Sequence, residues 1–341
     1  MSITAADQEL SVAWEFAVDD APVALSAQGD LVAVAGAEGT VRVLAAGIEI
    51  GGFELPGGTL NVQLSPDARH LVATGPMGYA LWRHEDGCTT VRETGTWSSA
   101  AAWANDERVA VASGRRALVL GADGEELWSA EPAASTVTDL AWMRQGRRLA
   151  VAAYGAVRGH ERHTEQPVVT YPYRGSHLAL AVAPTGRWIC SGNQDASIHI
   201  WRTRDGDDLT MSGYPEKVSR LAFDDTGFWL AADGAPDVTV WDFSGKGPAG
   251  SAPRSLRCHE TITALAWRPG GAAHLASGGD DGTVALWRAT AGRPESRLRP
   301  LRTLEGPSAV AALAWSGPHL LVVCYRDGLV RAHRLPFRDA L

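Results

Sequence analysis

The chain has 341 residues, 45% apolar and 21% charged, with a net charge of −8. That balance leaves ample material for a core. It argues against nucleic-acid binding and against docking on an anionic membrane, since both need clustered Lys and Arg.

Arg supplies almost all the positive charge, since Lys217 and Lys246 are the only lysines. The first ten residues have neither a basic start nor an apolar stretch, so no secretory leader is expected. No apolar run approaches the roughly 18 residues of a membrane helix. Cys88, Cys190, Cys258 and Cys324 are scattered and form no CxxC pair. This is the pattern of a reduced chain, and a cytoplasmic location is expected.

In chain order, the first apolar run is Ala13-Trp-Glu-Phe-Ala17, which stands alone. Repeated units follow at 23–44, 62–82, 100–120, 137–161, 178–201, 218–241, 262–287 and 310–333. Each is a short apolar run, a tight turn, and further apolar runs that often end in Trp. Val72-Ala-Thr-Gly-Pro-Met-Gly-Tyr-Ala-Leu-Trp82, Ser191-Gly-Asn-Gln-Asp-Ala-Ser-Ile-His-Ile-Trp201 and Leu275-Ala-Ser-Gly-Gly-Asp-Asp-Gly-Thr-Val-Ala-Leu-Trp287 are imperfect copies of one another. Leu230-Ala-Ala-Asp-Gly-Ala-Pro-Asp-Val-Thr-Val-Trp241 is a fourth copy. A period on the order of 40 residues built this way marks a radially repeated β-architecture. In the seventh unit the strands fall at 263–267, 273–277 and 283–287, with a less regular outer strand at 301–304. The turns are Arg268-Pro-Gly-Gly271 and Asp280-Asp-Gly282, the latter an Asp-Gly step that supplies positive φ.

Glu125-Glu-Leu-Trp-Ser-Ala130 precedes the fourth unit as 13–17 precedes the first, so both read as outer strands. The last unit supplies three strands and lacks a fourth. Pairing the first strand of the chain with that unit closes the ring and removes an open edge. The expected fold is therefore an all-β propeller of eight four-stranded antiparallel blades, with the N-terminal strand completing the last. It forms a single domain over 11–337, with tails at 1–10 and 338–341. Seven blades is the alternative, because the first and third units lack their Trp.

Gly278-Gly-Asp-Asp-Gly-Thr-Val-Ala-Leu-Trp287 and Val240-Trp-Asp242 resemble WD40 repeats. The Ser65-Pro-Asp-Ala, Ala183-Pro-Thr-Gly and Arg268-Pro-Gly-Gly turns are similar to that family's Ser-Pro-Asp-Gly. Gly192-Asn-Gln-Asp-Ala-Ser-Ile-His-Ile-Trp201 and Trp241-Asp-Phe-Ser-Gly-Lys-Gly-Pro-Ala-Gly250 more narrowly resemble a bacterial subgroup. The resemblance implies a propeller acting as an interaction platform. Through zinc-handling GTPases associated with the subgroup, it also implies an accessory role in metal homeostasis. His259, Ser277, Asp281 and Trp287 match the family's hydrogen-bonded tetrad, which accounts for a Ser, His and Asp close in space better than a hydrolase triad does. The fifth unit retains Ser191, Asp195 and Trp201, with Ser176 or His177 near the His place.

Gly159-His-Glu-Arg-His163 is the densest set of metal-ligand types. His160 falls where other units have Trp, and His163 follows in a loop. The pair gives two ligands where zinc takes three or four, so Glu161, His177 or Cys258 would have to converge on it. A solvated loop without metal is expected. Cys258-His-Glu260 is read as a turn rather than a catalytic dyad. Gly245-Lys246 lacks the GxxxxGK[ST] spacing and a following helix, so it is read as a flexible loop.

In a propeller, loops entering innermost strands and loops between second and third strands share one face. Trp97, Arg174, His177, Tyr214 and Lys217 belong to the first kind, and Tyr154, Tyr325 and Arg326 to the second. Tyr, Trp and Arg dominate interface hot spots, so this set is the expected contact surface. The expected function is a non-catalytic, monomeric scaffold for a protein or peptide partner, without a cofactor. A propeller enzyme with its site in the central channel and an accessory protein of zinc homeostasis are the alternatives.

Overall fold

The computed structural model describes residues 10–104, 107–234, 236–270 and 273–335. The expected tails at 1–9 and 338–341 lie outside these residues, as do Ala235 of the sixth unit and Gly271 of the seventh unit's turn. Every helix or strand in the described residues is a strand. The strands form eight sheets in which consecutive strands pair antiparallel. Blades 1 to 7 span 22–54, 61–93, 101–129, 137–172, 177–211, 221–257 and 262–305. Blade 8 takes three strands from 310–334 and its outer strand, Ser11–Ala17, from the start of the chain. The eight-bladed reading therefore holds over the seven-bladed alternative. Closure runs from Ser11 against Arg334 to Ala17 against Leu329, with one register shift between Val12 and Trp14. Arg331 Nε donates to Glu15 Oε1 at 2.6 Å across that seam. Blade 6 carries one addition, the two-residue strand Arg297–Leu298, which pairs parallel to Arg254–Arg257.

The patterning explains why the sheets stack around an axis. Second strands such as Leu31–Gly36 and Arg108–Ser113 read LVAVAG and RVAVAS and are almost wholly buried, because both faces meet a neighbouring blade. The buried apolar residues fall into eight clusters, each drawing on two adjacent blades, so the core is a ring of eight seams. Bulky third-strand positions fill the wider outer part of the seams. Register places Leu44, Trp82, Leu120, His160, Trp201, Trp241, Trp287 and His333 at this equivalent site. Five innermost strands share a register break near their start, after Pro22, Val137, His177, Ile262 and Val310. Such a bulge adds twist where the sheets crowd the axis.

The turn chemistry is as the Asp-Gly steps demand. Gly282 N donates to Gly279 O and Gly328 N to Tyr325 O, and both glycines have positive φ, 81° and 95°. A Cβ on Gly328 would lie 2.3 Å from the Val18 carbonyl oxygen, so only glycine lets this turn close against the N-terminal segment.

Candidate functional site

Blade 7 brings its four expected residues together. Trp287 Nε1 donates to Ser277 Oγ at 2.8 Å, and His259 Nε2 lies 2.8 Å from the same oxygen. Asp281 Oδ1 stands 3.5 Å from His259 Nδ1, a charge contact rather than a close hydrogen bond. Burial holds the His259 imidazole below its usual pKa. Ser277 is fully buried and serves two partners, which makes it the joint of the chain.

Blade 5 keeps the residue types but connects them differently. Ser191 Oγ bonds Asn193 Oδ1 at 3.1 Å, and the buried Trp201 N–H has no acceptor among the described residues. Asp195 is reached by neither Ser176 nor His177 but by Tyr173, whose hydroxyl donates to Oδ2 at 2.5 Å, and by Ser197 Oγ, which donates to Oδ1 at 2.7 Å. His177 is fully buried, and burial pushes its pKa down to about 4. Tyr173, His199 and Trp201 form a run of rings, with centroids 4.7 and 4.6 Å apart. Blade 6 places Tyr214 at the loop position equivalent to Tyr173. Trp241 Nε1 donates directly to the Tyr214 hydroxyl at 2.9 Å, and Thr239 Oγ1 lies 2.9 Å from it. Burial pushes the Tyr214 phenol up to about 12.

The central channel holds two openings. One, of about 890 Å³, is lined by Leu64, Phe223, Trp267 and Trp315 near the turns between first and second strands. Trp103, Trp142, Trp267 and Trp315 each donate an indole N–H to a carbonyl of the preceding blade's innermost strand, at 2.8–3.0 Å. These indoles stitch neighbouring blades together. The other opening, about 450 Å³, is lined by Asn61, Asp139 and Arg220 among others. Asp139 occupies the position that follows the register break, where other blades have Ala24, Ala179, Ala264 and Ala312. Its two oxygens accept from Leu140 N at 2.8 Å and Leu180 N at 2.7 Å, tying blade 4 to blade 5. Desolvation pushes this carboxyl up to about 6.

The expected contact rim is redrawn. Tyr325 and His177 are fully buried, and Tyr214 spends its hydroxyl inside blade 6, so none of these three offers a surface. Tyr154, Arg174, Lys217 and Arg326 remain exposed, as does Trp97. Met77, which the sequence reading passed over, joins them. Met77, Trp97 and Tyr154 are 45%, 48% and 57% exposed. A continuous belt of hydrogen bonds carries them: Thr94 and Gly95 donate to Met77 O, Gly114 to Trp97 O, Val137 to Gly114 O, and Tyr154 N to Ser135 Oγ. Gly155 N donates onward to Gly175 O, next to Arg174. The belt crosses blades 2, 3 and 4 on one face.

The expected histidine pair is also redrawn. His160 sits in the third strand of blade 4, Ala156–Glu161, at the Trp position the alignment gave it, but it is buried rather than solvated, with its pKa lowered by that burial. His163 lies outside the strand at a φ of 58°, where its Nε2 accepts from Arg162 Nε at 3.0 Å. Among the described residues no group of three or more His, Cys, Asp or Glu is arranged to hold a metal ion. The described residues also contain no helix long and apolar enough to cross a membrane.

This geometry defines an eight-bladed β-propeller. The WD domain, G-beta repeat family matches residues 165–202 and 250–288, each running from an outer strand through the three inner strands of the next blade. The chain is 32% identical over 142 residues to the periodic tryptophan protein 2 homolog of Schizosaccharomyces pombe, covering 40% of this chain and 16% of that protein. It is 28% identical over 122 residues to the small ribosomal subunit protein RACK1y of Oryza sativa, covering 34% and 35%. With WD repeat-containing protein 1 of Gallus gallus it shares 29% over 160 residues, covering 45% and 25%. The chain thus spans about a third or less of the length of these relatives. The crystal structure of the computationally designed Ika8 protein superposes with a TM-score of 0.77 at 22% identity, covering 95% of this chain and 99% of that one, a likeness of fold. The chain is thus similar to WD40-repeat proteins over these segments, and its fold is that of a β-propeller.

Proposed function

We propose that the protein is a non-catalytic interaction platform that binds a protein or peptide partner on the loop face of blades 2 to 4. The observation that carries this reading is the belt of Met77, Trp97 and Tyr154. Three large, half-exposed side chains stand on consecutive hydrogen-bonded turns, with Arg174 beside them. Aromatic, Met and Arg side chains are enriched at interfaces, and Trp, Tyr and Arg concentrate their binding energy. The catalytic alternative gains no support from the channel, because both oxygens of Asp139 are engaged by backbone N–H groups. The metal-homeostasis alternative gains none from His160 and His163, since one is interior and the other faces solvent.

The test is affinity capture on the immobilised chain, beside a variant carrying Met77→Ser, Trp97→Ser and Tyr154→Ser. A defined protein retained by the native chain and lost from the variant, at an unchanged melting temperature, is the expected result. Equal retention by both chains discards this surface.

A further inference from the structure

We propose that the cleft between blades 5 and 6, on the face opposite the Met77–Tyr154 belt, binds a small soluble anion of the phosphate type. Three turns build this cleft of about 410 Å³. The turn between first and second strands of blade 5 brings Arg187, and its third-to-outer turn brings Arg202 and Arg204. The third-to-outer loop of blade 6 brings Lys246, one of the chain's two lysines. The lining holds four cations and no carboxylate. Asp205 and Asp207 pair with Arg202, and Asp205 also with Arg204. Four positive charges less these two negative ones leave a surplus of two, on a chain whose net charge is −8.

The walls are held in place independently of any ligand. Arg187 Nη2 donates to Gly245 O at 2.8 Å, leaving the rest of its guanidinium fork unspent. Thr203 Oγ1 donates to Gly186 O at 2.6 Å and Thr203 N to Arg187 O at 3.0 Å, pinning the two blade 5 turns together. Gly247, at a φ of 90°, packs on Trp188, where a Cβ would fall 2.5 Å from the ring. Only glycine permits that approach, and it fixes the residue before it, Lys246, at the cleft. The Lys246 ammonium is exposed and has no partner among the described residues. Trp188 forms the inner wall, is 4% exposed, and its indole N–H has no acceptor among the described residues.

A compact dianion suits this arrangement. Arg presents a fork that matches tetrahedral oxyanions, and Lys adds a point charge. This is not a phosphate loop, because side chains from three turns carry the charge and no helix N-terminus takes part. The volume admits a phosphate with a small organic remainder. The negative charge of the whole chain disfavours an anionic lipid surface.

The test titrates the full chain with inorganic phosphate at constant ionic strength, by calorimetry and by phosphorus resonance broadening. Saturation at one site per chain is expected, with about tenfold weaker binding for Lys246→Gln. A smaller loss is expected for Arg204→Gln, and no change for Lys217→Gln on the opposite face. Absence of saturation, or a Lys246→Gln chain that binds like the native one, overturns the proposal. Tighter retention by phosphatidic acid vesicles than by free phosphate overturns the soluble ligand in favour of a membrane.

Discussion

Blades 5 and 7 occupy equivalent places in the ring and carry nearly the same residues, yet their interiors are organised by different forces. In blade 7 a serine joins the Trp287 indole to an imidazole, and the Trp is held by a hydrogen bond. In blade 5 the corresponding serine turns to Asn193, and the Trp201 ring is held by the rings stacked around it. What is common is volume: Trp201 and Trp287 are both fully buried at the same register position. In these two seams an indole fills that position, while the polar wiring around it is exchangeable.

That contrast can be broken most forcefully at the two tryptophans. Trp287→Ala and Trp201→Ala should each cost about 3–5 kcal/mol by urea unfolding, since both empty a close-packed seam. A much smaller loss in blade 5 would show that its rings do not replace the missing bond. A sharper discrimination comes from the serines. Ser277→Ala strands the Trp287 N–H and the His259 ring nitrogen in the interior, a loss of roughly 2–3 kcal/mol, whereas Ser191→Ala should cost about 1 kcal/mol. Equal losses would remove the distinction between the two blades.

The smallest effect lies in pH. His177 and His333 are buried, and burial pushes each down to about 4. The unfolded chain therefore takes up these protons first. The stability they carry is complete above about pH 6.5 and drains away as the pH falls towards 4, by at most about 1.4 kcal/mol per pH unit for each. Asp139 acts in the opposite sense: its raised carboxyl contributes most at low pH, and that contribution is lost as the pH rises through 6. His177→Phe should flatten the fall in melting temperature between pH 6.5 and 4. His259→Phe should flatten it less and lower the melting temperature at pH 7 as well. If both variants kept the native slope, burial of these imidazoles would not govern the acid response.

Much of this was legible in the chain because repetition gives each unit several witnesses. The Asp-Gly turns, the Trp-ended strands and the unpaired 13–17 run led directly to eight blades and their closure. Exposure was less legible. Tyr325 and His177 sit at the edges of turns, where a sequence reading places them outside. Burial there depends on how far the next blade leans over, which no local pattern encodes. His160 fills the Trp position that the repeat alignment gave it, and only its burial there, inside a seam, was not legible. Met77 was missed because Met beside Pro and Gly resembles an ordinary turn, although its place between second and third strands was the available signal. The basic cleft was invisible because its four cations come from three separate turns, between Arg187 and Lys246 in the sequence.

The pairing of Ser11–Ala17 with Leu329–Arg334 has a consequence for how the ring comes into being. The strand Ser11–Ala17 must wait, unpartnered and half apolar, until the strands at 310–334 have emerged. Closing so long a loop is entropically costly and slow, so the nascent molecule passes through an open arc with a vacant edge at each end. During that interval it is a template for strand addition by other chains. Synthesis rate and chaperone supply, more than the finished circle's strength, should then decide how much protein survives to complete it.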